Sequence, residues 1–268
     1  MAEGDMSPDT VLLIAYSEIA LKGKKRGFME RALASSIRRW HERRGLEVRL
    51  QHEGGRLVVE GAFSAEVARV PGVHHVARAF ALEKAPPEEL VEAIAEVVKA
   101  EPPVAVRVKR GDKRYPLTSV ELAAKVGEAL GLPVDLKSPR TAIFVEIRKR
   151  VYVYTSRDVR EGVGGLPYGV EGEVGVSYRD PLKGLLASAL LARRGARVFP
   201  HEPYPGLEAL AEALPEPLII KRSPPPVAGR DLFPGEPCVP QRTLSKVKLM
   251  LGGEGVEGID RFGCPRAG

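Results

Sequence analysis

The chain has 268 residues, enough for one large domain or two to three small ones, and 44% of them are hydrophobic, ample for packed cores. A formal net charge of +6 favours a polyanionic partner. No apolar run reaches the length that spans a bilayer, and the N-terminus carries no signal-peptide pattern, so a cytoplasmic chain without a membrane anchor is expected.

Residues 11–16 are a continuous apolar run of strand length. Lys22, Lys24, Lys25 and Arg26 then cluster around Gly23 and Gly27. Met29, Leu33, Ile37 and Trp40 recur at helical spacing, which predicts a helix over 28–44 ended by Gly45. Strands over 46–50 and 56–59 flank a turn at 52–55, and a short helix at 64–70 precedes a strand at 76–82. The order β-α-β-β-α-β is ferredoxin-like.

Pro86 and Pro87 punctuate the chain before a predicted helix over 88–99. In the next strand Val104, Val106 and Val108 alternate with Arg107 and Lys109, so valines and cations take opposite faces. A basic turn follows, with Arg110, Lys113, Arg114 and Tyr115. Pro116 cannot lie inside a helix, whereas Thr118 or Ser119 can cap one over 120–130, with Glu121 placed to reciprocate. Residues 134–136, 141–147 and 151–154 read as strands, the last two joined by a turn at Lys149 and Arg150, and a Gly- and Pro-containing linker spans 162–169. Four cations and an aromatic at a strand exit suit a phosphate chain with an unpaired base stacked on Tyr115. The plain alternatives are a solvated loop and a Tyr115 packed on Pro116.

Beyond the linker, strands at 173–178, 196–200 and 218–221 alternate with helices at 182–193 and 206–214, the pattern of a parallel α/β layer. After residue 223 the regularity fades into Gly- and Pro-rich sequence. His74 and His75 are expected on opposite faces of a strand, and His41, His52 and His201 are scattered, so no metal-ligand spacing emerges. Cys238 and Cys264 lie in no Cys-x-x-Cys pattern. The absence of asparagine, with only Gln51 and Gln241 as glutamines, reads as adaptation to high temperature, a setting in which an intracellular disulfide between them stays open.

Several of these stretches resemble one family in one order. Residues 16–30 (Y-S-E-I-A-L-K-G-K-K-R-G-F-M-E) resemble the N-terminal ferredoxin-like domain of the tRNA 4-thiouridine synthases, or tRNA sulfurtransferases. Residues 108–122 (V-K-R-G-D-K-R-Y-P-L-T-S-V-E-L), 134–140, 145–148 and 164–169 resemble their THUMP domain. The resemblance implies an α+β architecture with a ferredoxin-like domain at 1–84 and a THUMP RNA-binding domain at 85–168. A truncated, degenerate α/β remnant of the PP-loop (ATP pyrophosphatase) domain is expected at 169–268.

It further implies tRNA as partner, gripped at the acceptor stem and 3′ end. The candidate contacts are Lys109, Arg110, Lys113, Arg114 and Tyr115, then Lys137 and Arg140 as a second basic turn, and Lys22, Lys24, Lys25 and Arg26 as a third patch. The family's ATP-binding loop, S-G-G-x-D-S, is replaced by Y-R-D-P-L-K-G at 178–184. Both adjacent glycines are gone and Pro181 removes an N–H donor, so an ordinary turn capped by Asp180 is expected, with no ATP or other cofactor. The expected function is that of a tRNA-binding THUMP-domain protein, a non-catalytic relative of the tRNA 4-thiouridine synthases that recognises the acceptor end and assists a separate modification enzyme, with the C-terminal part as a docking or homodimer surface. Two alternatives stay open: a divergent sulfurtransferase that uses ATP and Cys238 or Cys264, and a protein-interaction scaffold that keeps only the fold.

Overall fold

The computed structural model describes residues 10–221, 227–228, 238–253 and 256–264. In chain order the elements are β1 (Thr10–Ala15), α1 (Arg26–Glu42), β2 (Val48–His52), β3 (Arg56–Gly61), β4 (His75–Leu82), α2 (Pro87–Val97) and β5 (Val104–Arg110). There follow α3 (Ser119–Leu130), β6 (Thr141–Ile147), β7 (Val151–Thr155), β8 (Val159–Glu161), β9 (Glu173–Val176) and α4 (Pro181–Arg193). The last are β10 (Arg197–Pro200), α5 (Leu207–Ala213), β11 (Val227–Ala228) and α6 (Gln241–Met250). They fall into two compact units, the first from residues up to 14, 50–65 and 76–160, the second from 15–49, 66–75 and 161 onward.

In the first unit the strands run β2-β3-β1-β4-β7-β6-β5 in one sheet, with β8 also paired to β4. Strands expected in two successive domains therefore share a ladder, joined where β4 and β7 pair antiparallel (Ala81 opposite Tyr152). The predicted alternation in β5 is realised. Val106 and Val108 pack with Leu90, Ile94, Leu122 and Val126 of α2 and α3, while Arg107 and Lys109 are exposed. Thr118 is the cap of α3: its Oγ1 accepts the Glu121 N–H at 3.2 Å and the Glu121 carboxylate accepts the Thr118 N–H at 2.7 Å.

The opposite face of the sheet packs Val11, Leu13, Val58, Ala77, Ala79 and Ala81 against Tyr152 and Tyr154. Within this unit, residues 134–136 are not a strand and supply only a bridge from Val134 to Val104. Pro133 has no N–H to give, and Asp135 turns the chain by accepting the N–H groups of Lys137 and Ser138. Strand β8 was not expected, and the short helix predicted at 64–70 is a 3-10 turn, Ala65–Arg69.

The second unit holds a parallel sheet, β10-β9-β11, flanked by α4, α5 and α6 around Leu185, Leu186, Val198, Leu210, Leu244 and Phe262. Residues 218–221 stay outside it. Only Lys221 N–H reaches Pro200 O, at 3.0 Å, and β11 takes the third place in the sheet. Helix α6 lies in the stretch that carried no regular signal.

Helix α1 docks on α5 by donating to its terminal carbonyls: Trp40 Nε1 to Glu212 O (2.9 Å), Arg44 to Glu212 O (2.7 Å) and Arg43 to Leu214 O (2.7 Å). These donors satisfy groups that a helix end leaves unpaired. The expected linker is buried from 162 to 168. Leu166 N–H donates to Arg193 O at 3.0 Å, and Gly165 has φ +84° with its missing Cβ aimed into that same carbonyl, so only glycine fits. Cys238 and Cys264 are joined in a disulfide, the outcome the sequence left open.

Candidate nucleic-acid interface

Parallel pairing of β5 with β6, Val104 opposite Thr141 through Arg110 opposite Ile147, decides where the basic residues meet. Both strands end together, so the loop after β5 and the β6–β7 turn lie at one end of the sheet. The β2–β3 turn is tied to them: Arg148 Nη1 donates to Glu53 O at 2.7 Å and Gly54 O at 2.8 Å. A cleft of about 340 Å³ opens there, with Lys84, Asp112, Arg114, Arg148 and Lys149 in its wall.

The side chains in this loop differ in role. Lys109 and Lys113 are exposed, and Arg114 is 91% exposed. Arg110 faces inward: its Nη1 donates to Tyr115 O at 3.2 Å and Leu117 O at 2.7 Å, so it shapes the loop. Asp112 accepts from Arg114 Nε at 3.1 Å and Lys84 Nζ at 2.6 Å. Those hydrogen bonds, Arg114's first, hold its carboxyl well below the usual carboxylate range.

Tyr115 is turned into the core and offers no open ring face to solvent. It is 7% exposed, packs with Leu90 and Leu122, and donates its hydroxyl to Ala85 O at 3.2 Å. Burial raises its pKa. Tyr115→Ala is expected to cost about 3–5 kcal/mol in denaturant unfolding, and Tyr115→Phe about 1 kcal/mol.

Lys137 and Arg140 are both exposed, but they precede β6 and therefore sit at the far end of the ladder. Seven residues of strand separate the two ends by about 20 Å, so the two basic turns form no single patch. The exposed Arg107 and Lys109 lie along the edge strand between them. Lys84 and Lys149 were missed in the sequence; the shared exit of two parallel strands is the signal that brings Lys149 into the site.

In the second unit Lys22, Lys24 and Lys25 are exposed on 3-10 turns, with Leu21 and Phe28 also exposed. Arg26 is not a free cation: it pairs with Glu30 at 2.7 Å, and Tyr16 donates its hydroxyl to the same carboxylate. Burial, aided by Glu30, pushes the Tyr16 hydroxyl up to about 12.

At the N-terminus of α4, Asp180 accepts the N–H groups of Leu182 at 2.9 Å and Lys183 at 3.3 Å, Pro181 has none to give, and Arg261 pairs with the same carboxylate. The donors that would cradle a phosphate are already used by the protein's own carboxylate, so these residues do not fit a nucleotide's phosphates in this position. His74 precedes β4, so its ring lies beside that of His75, Nδ1 to Nδ1 2.9 Å, and not across the sheet from it. Among the described residues no group of three or more His, Cys, Asp or Glu is placed to hold a metal.

Family comparison fits this arrangement. Residues 11–77 match the ThiI ferredoxin-like domain and residues 87–156 match the THUMP domain. The chain carries a ThiI ferredoxin-like domain and a THUMP domain. It is 32% identical over 211 residues to the probable tRNA sulfurtransferase of Caldanaerobacter subterraneus, covering 72% of this chain and 54% of that one. With the probable tRNA sulfurtransferase of Brevibacillus brevis it shares 33% identity over 202 residues, 69% of this chain and 49% of that one. The chain thus spans about half the length of the curated relatives it matches.

Among solved structures, PH1313 from Pyrococcus horikoshii superimposes with a TM-score of 0.68 at 27% identity, over 80% of this chain and 79% of that one. A 4-thiouridine synthetase, solved as an RNA complex with bound ATP, gives a TM-score of 0.59 at 25% identity, over 71% of this chain and 52% of that one. No helix among the described residues is long and apolar enough to cross a membrane.

Proposed function

We propose that this chain binds tRNA at the acceptor stem and 3′ end, and presents it to a separate modification enzyme without carrying out thiolation itself. The observation that supports binding most is the set of exposed cations at the exit of β5 and β6, Lys109, Lys113, Arg114 and Lys149, on a THUMP domain whose relatives are named tRNA sulfurtransferases. Phosphate contacts of this kind give affinity that falls with salt.

Two observations support the absence of chemistry. Replacing a uracil carbonyl oxygen by sulfur requires that oxygen to be activated as a leaving group and a sulfur nucleophile to attack. The N–H groups opening α4 are occupied by Asp180, and the two thiols are bonded to each other. The part after the linker, from residue 169 on, serves as a docking or dimerisation surface.

The test is equilibrium binding of tRNA across a salt series, together with ATP binding and pyrophosphate release in the presence of tRNA. Salt-dependent binding without pyrophosphate release is expected. Pyrophosphate release by the purified chain would replace this reading with a divergent sulfurtransferase, and a failure to bind tRNA at low salt would leave neither.

A further inference from the structure

The far end of the THUMP sheet, remote from the cleft, is built as firmly as the cleft. Val104 N–H donates to Pro133 O at 2.8 Å, Asp135 N–H to Val104 O at 3.0 Å and Arg140 N–H to Pro103 O at 2.8 Å, so three chain segments are locked together. Glu101 is fixed to Thr141 by two hydrogen bonds, its N–H donating to Oγ1 at 3.1 Å and Oγ1 donating to its carbonyl at 2.9 Å.

The Glu101 carboxylate then gathers two guanidiniums, Arg140 at 2.7 Å and Arg157 at 2.6 Å, that remain 67% and 51% exposed. Beside them Asp135 closes a turn by accepting the N–H groups of Lys137 at 2.8 Å and Ser138 at 3.0 Å. On that turn Leu136 is 71% exposed.

A single exposed leucine needs no explanation. Here, however, the leucine lies on a hydrogen-bonded turn next to Lys137 and four residues before Arg140, which shares the Glu101 carboxylate with Arg157, and both carboxylates are already engaged by protein donors. Rigid placement removes the entropic cost of ordering these groups on a ligand. An acidic or purely apolar partner would use only half of this surface. A nucleotide uses both halves, its phosphate on the guanidiniums and its base or ribose on the aliphatic tip.

We infer that this end of the sheet is a second RNA subsite, in which Arg140, Arg157 and Lys137 take phosphate while Leu136 packs on an unpaired base or its ribose. This deepens the tRNA-binding reading and rests on it. The two subsites lie about 20 Å apart, and the exposed Arg107 and Lys109 on edge strand β5 give the strand a basic path between them.

The experiment compares tRNA binding by the wild-type chain, Leu136→Ser and the double variant Arg140→Gln/Arg157→Gln over a salt series, with thermal unfolding checked for each. The double variant is expected to lose on the order of ten-fold in affinity and to flatten the log K against log salt line by roughly 1, less than two free cations would give because Glu101 already offsets part of their charge. Leu136→Ser should lose about five-fold with an unchanged slope, as fits loss of apolar burial alone. Wild-type affinity and slope in both folded variants would overturn the subsite while leaving tRNA binding intact. A wild-type chain that binds no tRNA would overturn both.

Discussion

Glu146→Gln should destabilise the first unit by about 3–5 kcal/mol, the range for breaking a buried ion pair by removing one partner. Glu146 lies opposite Tyr152, on the face of the sheet that carries Tyr152 and Tyr154, at 4% side-chain exposure. It accepts from Arg56 Nη2 at 2.8 Å, from Arg148 Nε at 2.7 Å and from the Tyr154 hydroxyl at 3.0 Å. Neutralising it leaves two guanidiniums, 13% and 4% exposed, without their shared counter-charge. The loss reaches the cleft, because Arg148 is also what ties the β2–β3 turn to the β6–β7 turn.

Tyr154→Phe removes one hydrogen bond and should cost only about 1 kcal/mol. The carboxyl also gives the protein an acid limb. Burial pushes its pKa up, but the charges of Arg56 and Arg148 outweigh that and leave it lowered from the ordinary 4.5. A depressed carboxyl contributes stability above its unfolded value and loses it as pH falls through the folded one. Stability of the wild type should therefore decline below about pH 4.5 more steeply than that of Glu146→Gln. Urea unfolding at pH 7 and pH 3 measures both effects; equal midpoints for variant and wild type at pH 7 would contradict the clamp.

Much of this fold is legible in local pattern. The apolar run of β1, the helical spacing of Met29, Leu33, Ile37 and Trp40, and the Thr118–Glu121 box each specify an element from neighbours a few residues away. The α4 N-terminus is legible for the same reason: Asp180 followed by Pro181 is a cap followed by a first-turn residue.

What sequence does not display is pairing between distant strands. The β4–β7 ladder merges two expected units into one sheet, and the parallel β5–β6 register sends Lys137 and Arg140 to the end opposite Lys113 and Arg114. Tyr115 misleads because an aromatic among four cations looks like a stacking platform. Its place is decided by Ala85, Leu90 and Leu122, which are remote in sequence or beyond a helix cap. Arg110 and Arg26 show the same limit, since whether a cation faces solvent or a carbonyl depends on the backbone that folds around it.

The second large effect concerns affinity. Replacing Lys109, Lys113, Arg114 and Lys149 together by glutamine should weaken tRNA binding by about two orders of magnitude near physiological salt, and flatten the salt dependence by roughly 3 on the log–log plot. Each phosphate neutralised by a lysine or arginine contributes about 0.7–0.9 to that slope, depending on whether the strand is single or paired. Four contacts give the upper bound, and Arg114 contributes less than the lysines because Asp112 already offsets part of its charge.

The substitution leaves the core intact. All four side chains are exposed, and the loop is shaped by Arg110, Tyr115 and the Asp112 carboxylate, none of which is changed. The control is Lys125→Gln on the outer side of α3, where Glu88, Glu92 and Glu128 surround the lysine and should repel a phosphate chain. The quadruple variant with a wild-type slope would move the RNA away from the β5–β6 exit. An equal loss in Lys125→Gln would mean that net charge, and not this surface, governs binding.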